Sequence, residues 1–120
     1  MDKSCKILRK MLSGEQAILA PGAHNGISVR IIEKVGFQAV YGTGYGASAS
    51  ALGCADIGLM TLTEMVSHMH NLVNATSLPV IADADTGYGN AINVMRTVRE
   101  YEQAGVAALG QPPDLAEHGK

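Results

Sequence analysis

Large aromatic side chains, cysteine and long hydrophobic runs are all scarce in this 120-residue sequence, which has no Trp, one Phe and two Cys. Without a run of about 18 apolar residues, neither a transmembrane helix nor a membrane partner is expected. The N-terminal residues include no apolar stretch of signal-peptide length, so we expect a cytoplasmic protein, with an organelle as the alternative. Cys5 and Cys54 are far apart in the chain. Their spacing predicts two reduced thiols rather than a disulfide framework.

Basic residues are missing from the centre of the chain, where no Lys or Arg occurs between Val35 and Met95. A nucleic-acid-binding surface needs a basic stripe to neutralise phosphates, so no nucleic-acid partner is expected. The same stretch contains acidic residues, including Asp83 and Asp85. An acidic centre without paired cations suggests a divalent metal. The overall balance, 47% hydrophobic and 17% charged residues, excludes a disordered chain.

Glycine is abundant, at 14 residues, and it separates short apolar runs from amphipathic helical patterns. The runs predict strands over residues 16–20, 37–41, 78–82 and 106–109, after an N-terminal helix over residues 2–12. Asn25, Thr61 and Asn90 are predicted helix N-caps, and Glu64 completes a capping box with Thr61. Strands that alternate with helices predict an α/β fold with a parallel sheet. The helical positions expected to face inward are Ile27, Ile31, Ile32, Val35, Leu62, Met65, Val66, Met69, Leu72, Val73, Val94, Met95, Val98 and Tyr101.

The strongest local pattern is Asp83-Ala84-Asp85 at the carboxyl end of the third predicted strand, followed by Gly87 and Gly89. Alternation along a strand would point both carboxylates the same way, at the edge where parallel α/β folds build their sites. Neighbouring carboxylates repel unless a cation lies between them, and oxygen ligands suit Mg²⁺. Alternatively, both aspartates cap the turn and the helix that follow.

The second pattern is Tyr41-Gly42-Thr43-Gly44-Tyr45-Gly46, which follows the second predicted strand. Its glycine spacing is not that of a dinucleotide fingerprint, so a Rossmann-type or flavodoxin-like binding module is a weaker alternative. The segment could cradle a small carboxylate or phosphate with its backbone, or it could be a plain tight turn. Asp56 lies in a loop of small residues, and alone it carries little information.

Three segments resemble the isocitrate lyase/phosphoenolpyruvate mutase superfamily in order and spacing: APGAHNGISVRIIEKVGFQAVYGTGYG, GCADIGLMTLTEM and LPVIADADTGYGNAINVMRTVREYEQAGVAAL. The methylisocitrate lyase, carboxyphosphonoenolpyruvate mutase and oxaloacetate hydrolase branch is the most similar. The resemblance implies the N-terminal half of a (β/α)₈ barrel over residues 1–109, with about four parallel strands. Residues 110–120 are interpreted as a divergent, irregular tail.

The resemblance also implies a Mg²⁺-dependent lyase or mutase, with Mn²⁺ as an alternative cation. Such an enzyme cleaves C–C bonds, or rearranges P–C bonds, of small 2-oxo or 2-hydroxy carboxylates through a metal-bound enolate. Asp85 would bind the metal directly, Asp83 would hold metal-bound water, and Asp56 would act as the catalytic residue of a mobile loop. Tyr41, Thr43 and Gly44 match the segment that holds the substrate carboxylate. In full-length relatives a homo-oligomer is expected.

The sequence departs from the family after the fourth predicted strand, where relatives continue with an acidic motif and a cysteine-containing loop. The family's metal-associated Glu would fall at Pro112, and its lyase Cys has no counterpart. The chain is therefore interpreted as a truncated, inactive member, such as a splice form or an incomplete gene. An alternative is a non-catalytic half-barrel that associates with another subunit. The small-ligand-binding α/β module stays open as well.

Overall fold

The computed structural model describes residues 3–55 and 59–110, which form one parallel sheet and the helices that connect its strands. The strands are β1 (Gly22–Ala23), β2 (Val40–Gly42), β3 (Val80–Asp83) and β4 (Ala108–Gly110). The helices are α1 (Lys3–Leu12), α2 (Gly26–Val35), α3 (Gly44–Ala47), α4 (Leu62–Asn74) and α5 (Ala91–Ala104), and a π-helical turn over Ser48–Leu52 continues α3. The predicted four-stranded parallel α/β architecture is confirmed.

The three predicted N-caps begin the three longest connecting helices. The Asn25 side chain accepts a hydrogen bond from Ser28 N at the start of α2. Thr61 and Glu64 form a reciprocal capping box on α4. Asn90 accepts from two backbone amides of α5. Because each cap satisfies amide groups that the helix leaves unpaired, these helix starts follow from local sequence alone.

The strands lie in the order β1-β2-β3-β4, and all three neighbouring pairs are parallel. Right-handed crossovers between consecutive parallel strands place every connecting helix on the same face of the sheet. A doubly wound fold instead reverses its strand order at the point where it binds nucleotides. The described strands show no such reversal, so the Rossmann-type alternative has no support in this topology.

The core lies between the sheet and α4, and its largest contributors on that helix are Met65, Met69 and Leu72. Val40 and Val80, at paired positions of β2 and β3, are fully buried against them. Gly42 allows α4 to approach the sheet closely, because a Cβ at this position would overlap the Met69 sulfur. Since strand side chains alternate, Tyr41, next to Gly42, lies on the face of the sheet opposite α4.

The prediction of a strand over residues 16–20 is wrong. These residues form no strand, and the first pairing starts later, where Tyr41 N donates to Pro21 O at 2.9 Å and Gly22 pairs with Tyr41. Leu19, in the middle of the apolar run, is 69% exposed. The other strands exist but begin two or three residues later than predicted. A short apolar run locates a strand only approximately, because its first residue is set by hydrogen bonding to the neighbouring strand.

Of the inward positions predicted on α2 and α5, Ile32 and Tyr101 are confirmed and the others are wrong. On α4 the prediction is confirmed, since its six apolar positions are buried or pack against the core. On α2 the buried residues are Val29 and Ile32, while Ile27, Ile31 and Val35 are exposed. On α5 the buried residues are Thr97, Tyr101 and Ala104, while Val94, Met95 and Val98 are exposed. On both helices a set of apolar residues is exposed, and periodicity alone does not tell which residues face the sheet.

Both cysteines in the described residues are free, as predicted, and each is half-buried. Among the described helices, none combines the length and apolarity needed to cross a membrane.

Candidate functional site

The carboxyl ends of β2 and β3 form one edge of the sheet, where the predicted site residues meet. Asp83 is the last residue of β3, and Thr43 and Gly44 directly follow β2. The strand register pairs Gly42 with Ala82, so the residues that follow both strands emerge side by side. This shared edge is where parallel α/β folds place their functional groups.

Asp83 is held by hydrogen bonds through both its side chain and its backbone. Its Oδ1 accepts from Asp85 N at 2.8 Å, and its carbonyl oxygen accepts from the Tyr101 hydroxyl at 3.2 Å. The side-chain bond closes a tight turn directly after β3. The interpretation of the aspartates as caps is therefore correct for Asp83 and this turn. It is wrong for the helix, because Asn90 caps α5.

Asp85 reaches the site by a route that strand alternation did not predict. The strand ends at Asp83, and Asp85 adopts a left-handed backbone conformation with φ of +50°. Tyr88 is also left-handed, with φ of +61°. Non-glycine residues adopt this region at an energetic cost, so such conformations persist where the surrounding structure requires them. The turn, rather than the strand, directs Asp85 toward Asp83.

Gly44 lies against the Asp83 carboxylate. A Cβ built on Gly44 would stand 2.7 Å from Asp83 Oδ2 and 3.2 Å from its Cγ. No side chain larger than hydrogen fits there without moving the carboxylate. The glycine-rich segment and the aspartate motif, far apart in sequence, therefore form one site.

A small cavity of about 30 Å³ lies between these two segments. That volume exceeds the roughly 10–15 Å³ that a water molecule needs, so the cavity has room for a water or a small ion. Its lining is partly acidic and partly apolar: Gly44, Ser48, Met60, Met65, Asp83, Asp85 and Tyr88. Both predicted metal ligands thus face the same small volume.

The carboxylate oxygens that line the cavity are the type of ligand that Mg²⁺ prefers, although only two carboxylates are present there. Mg²⁺ prefers oxygen ligands, keeps several waters and is often held by only one or two carboxylates. In residues 3–55 and 59–110 no group of three or more His, Cys, Asp or Glu side chains gathers in metal-binding geometry. Asp83 and Asp85 are the two carboxylates that line the cavity. Asp56, the predicted catalytic residue, lies outside the described residues.

Tyr41 and Thr43 have different surroundings. Burial, together with the negative charge of Asp83, raises the pKa of the Tyr41 phenol, so this hydroxyl remains protonated. The Tyr41 ring lies beside β4, with Cε2 3.1 Å from the Cβ position of Gly110. Thr43 caps α3, since its Oγ1 accepts from Gly46 N at 3.2 Å. A hydroxyl that accepts in this way still has its own hydrogen to donate.

Several residues of the site were missed from sequence. Ser48 lies in the π-helical turn, is buried, and donates its hydroxyl to Ala55 O at 3.1 Å. Tyr88 lines the cavity, and Tyr101 contacts Asp83 from α5. π-helical turns frequently occur at functional sites, but a run of Ser and Ala carries no periodic signal for one. The Thr43 cap was the one local indication that a helix starts there.

Residues 8–110 match the family model described as phosphoenolpyruvate phosphomutase. The 2,3-dimethylmalate lyase of Eubacterium barkeri is 58% identical to the chain over 102 residues, which cover 85% of this chain and 35% of that protein. The isocitrate lyase of Haloferax volcanii is 44% identical over 108 residues, covering 90% of this chain and 31% of that protein. The chain thus spans about a third of the length of these curated relatives.

Solved structures share the same arrangement of strands and helices. A crystal structure of 2,3-dimethylmalate lyase superposes with a TM-score of 0.85 at 44% identity, over 91% of this chain and 38% of that one. Phosphonopyruvate hydrolase in complex with oxalate and Mg²⁺ superposes with a TM-score of 0.85 at 34% identity, again over 91% and 38%. These identities and scores support a shared fold and a shared ancestry.

Proposed function

Because this chain belongs to the phosphoenolpyruvate mutase/isocitrate lyase superfamily, we propose that it carries the cation-binding and carboxylate-binding part of a lyase or mutase. The substrates would be small 2-oxo or 2-hydroxy carboxylates, and the reaction would cleave a C–C bond or rearrange a P–C bond. The observation that carries the proposal is the position of Asp83, packed against Gly44 and hydrogen-bonded to Asp85 beside a cation-sized cavity.

In this proposal Asp85 binds Mg²⁺ directly and Asp83 holds water bound to the ion. When bound, the cation supplies positive charge that stabilises the enolate form of a 2-oxo acid. The hydrogen bond from Asp85 N fixes one oxygen of Asp83 and leaves the other directed toward Gly44. Mn²⁺, with similar oxygen preference, is the alternative ion.

Tyr41, Thr43 and Gly44 form the carboxylate-binding part of the proposal. The raised pKa of Tyr41 keeps its hydroxyl able to donate a hydrogen bond. The Thr43 hydroxyl accepts from Gly46 N and so has its hydrogen available for the substrate. Asp56 is proposed to be the catalytic residue, as the family resemblance implies. Residues 1–120 alone are expected to bind ligand without turnover.

Thermal unfolding with Mg²⁺ and oxalate tests the proposal. A ligand that binds only the folded protein stabilises it by about 2.7 kcal/mol at 100 times its Kd, so the melting temperature should rise with concentration. Asp85→Asn removes the charge but keeps a residue that tolerates the left-handed conformation. It should lose the Mg²⁺-dependent rise. Glu15→Gln, the same charge change at an exposed position, should keep it.

Two results would count against the proposal. One is a folded wild-type protein whose melting temperature does not respond to Mg²⁺ with oxalate. The other is a response that survives in Asp85→Asn, which would show that the ion is held elsewhere.

A second candidate function is association with another copy of the chain. In the described sheet β1 and β4 each pair with a single strand, so two sheet edges are open. Open edges favour pairing with further strands. Two copies would supply eight parallel strands, the number that closes this kind of barrel. Light scattering during gel filtration tests this candidate, and a protease-resistant 12.5 kDa monomer would contradict it.

A further inference from the structure

Helix α5 buries two hydroxyl-bearing side chains, Thr97 and Tyr101, while several of its apolar side chains are exposed. Thr97 and Tyr101, one helical turn apart, are both 0% exposed, whereas Ile92 is 77% and Met95 is 59% exposed. Burying a hydroxyl in preference to an apolar group costs free energy unless the hydroxyl makes a hydrogen bond. The contacts of these two hydroxyls therefore explain why they are buried.

The Thr97 hydroxyl bonds the turn that carries Asp85. Its Oγ1 lies 2.8 Å from Gly87 O and 2.9 Å from Asn93 O, the second being the carbonyl one turn earlier in the helix. The bond to Gly87 is fully buried. Gly87 N in turn donates to Ala84 O at 3.0 Å, which closes the turn around Asp85. Thr97 thus holds the far end of the turn.

Tyr101 holds the near end. Its hydroxyl donates to Asp83 O at 3.2 Å, at the last residue of β3. A side-chain hydrogen bond also joins Tyr101 to Tyr88. The two helix residues therefore hydrogen-bond to the segment at Asp83 and at Gly87–Tyr88, on either side of Asp85.

The segment between these contacts has an unfavourable backbone conformation. Asp85 and Tyr88 are left-handed, as are Gly87 with φ of +93° and Gly89 with φ of +140°. Glycine adopts positive φ without steric cost, whereas Asp85 and Tyr88 adopt it at an energetic cost, so contacts from outside the segment help to select this conformation. We propose that Thr97 and Tyr101 are positioning residues, which hold residues 84–88 so that the Asp85 carboxylate lies beside that of Asp83.

The functional role of this positioning rests on the proposed function, in which the carboxylates bind a divalent cation beside an oxo-acid. Its structural content can be measured without a ligand. Neither residue is proposed to touch the substrate. Both act through backbone carbonyl groups, so a variant that keeps the side-chain shape and removes the hydroxyl isolates the effect.

The test uses Thr97→Val and Tyr101→Phe, with Thr97→Ser as the rescue variant and Thr63→Val as the control on exposed α4 surface. Amide hydrogen exchange is followed by NMR at Asp85 and Gly87, with Met69 on α4 as the reference for global opening. Loss of one hydrogen bond should speed exchange at Asp85 and Gly87 about threefold to tenfold. Met69 should be unaffected, and Thr97→Ser and Thr63→Val should match the wild type.

Binding of Mg²⁺ with oxalate, measured by calorimetry, is the second readout. Thr97→Val and Tyr101→Phe should weaken it about threefold to tenfold, with Thr97→Ser close to wild type. The inference is overturned if exchange at Asp85 and Gly87 does not change, or if it rises equally at Met69. It is also overturned if the wild type binds Mg²⁺ with oxalate, exchange rises locally in Thr97→Val and Tyr101→Phe, and both variants bind as tightly as the wild type. If the wild type binds no Mg²⁺, the proposed function fails, and local exchange alone decides whether the two residues position the turn.

Discussion

A Cβ on Gly44 would stand 2.7 Å from the nearer carboxylate oxygen of Asp83, so the first residue of α3 and the last residue of β3 share a contact that only glycine permits. This contact joins the two sequence motifs into one site. Helix propensity alone would favour alanine over glycine at position 44, so stability and the position of the Asp83 carboxylate make opposite demands on this residue.

Gly44→Ala is expected to abolish the Mg²⁺-dependent stabilisation while changing the unfolding free energy little. The new methyl group would push the Asp83 carboxylate aside and break its bond to Asp85 N, whereas the gain in helix propensity offsets part of the strain. Isothermal calorimetry with Mg²⁺ and oxalate measures the first effect, and urea unfolding measures the second.

Gly26→Ala is the matched control for that substitution. Gly26 also begins a helix, but a Cβ there would meet Ala75 Cβ at 3.7 Å, an ordinary contact. It should retain binding and gain about 0.5–1 kcal/mol of stability. Equal binding by Gly44→Ala and Gly26→Ala would mean that the Asp83 position does not matter for the ion.

Thr61→Ala should lower the free energy of unfolding by about 1 kcal/mol. Thr61 accepts from Glu64 N at 3.2 Å, and Glu64 Oε1 accepts from Thr61 N at 3.1 Å, so the substitution removes one half of the capping box. The urea midpoint reports the change. Thr63→Ala, two residues later on an exposed face, should leave the midpoint within about 0.5 kcal/mol of wild type. Equal urea midpoints for Thr61→Ala and Thr63→Ala would show that the capping box does not contribute to stability.

The accuracy of the sequence interpretation depends on how local each determinant is. The caps at Asn25, Thr61 and Asn90 involve residues within three positions, and all three helix starts were predicted correctly. Strand bounds depend on partners far away in the chain. The run at 16–20 was therefore misassigned, although it is as apolar as the real strands.

Both acidic positions that the sequence singles out line the same cavity, but the geometry that brings them there was not predicted. Alternation along a strand predicted that Asp83 and Asp85 would share a face, whereas β3 ends at Asp83 and a turn brings Asp85 to the cavity. The supporting hydroxyls of Thr97 and Tyr101 were out of reach of pattern reasoning. An inward Thr on an amphipathic helix is recognised only when the carbonyl that it bonds is known.

His68 should make stability depend on pH in mildly acidic solution. Burial, and secondarily the nearby His24, lowers the pKa of the His68 imidazole below 6.5. The folded state therefore favours the neutral ring, and the unfolded state takes up a proton first as the pH falls. Stability is present above about pH 6.5 and is lost as the pH falls through the lower folded-state pKa.

His68→Leu should flatten that dependence, with little cost at neutral pH. The buried Nε2 of His68 has no hydrogen-bond partner among the described residues, so leucine removes an unsatisfied polar atom. Urea unfolding at a series of pH values from 5 to 8 measures the slope. A slope in His68→Leu equal to that of the wild type would assign the acid sensitivity to other groups.

Met95→Lys should reduce self-association if copies of the chain pair through the apolar side of α5. Met95 is exposed and is flanked on this surface by Ile92 and Val98, which are also exposed. A lysine there places charge in an apolar contact, where its desolvation is unfavourable. Gln103→Lys adds the same charge at an exposed polar position of the same helix and serves as the control. Light scattering over a concentration series should show a lower mean mass for Met95→Lys than for Gln103→Lys. Equal masses would exclude the outward face of α5 from the contact and leave the open edges of β1 and β4 as the surfaces to substitute next.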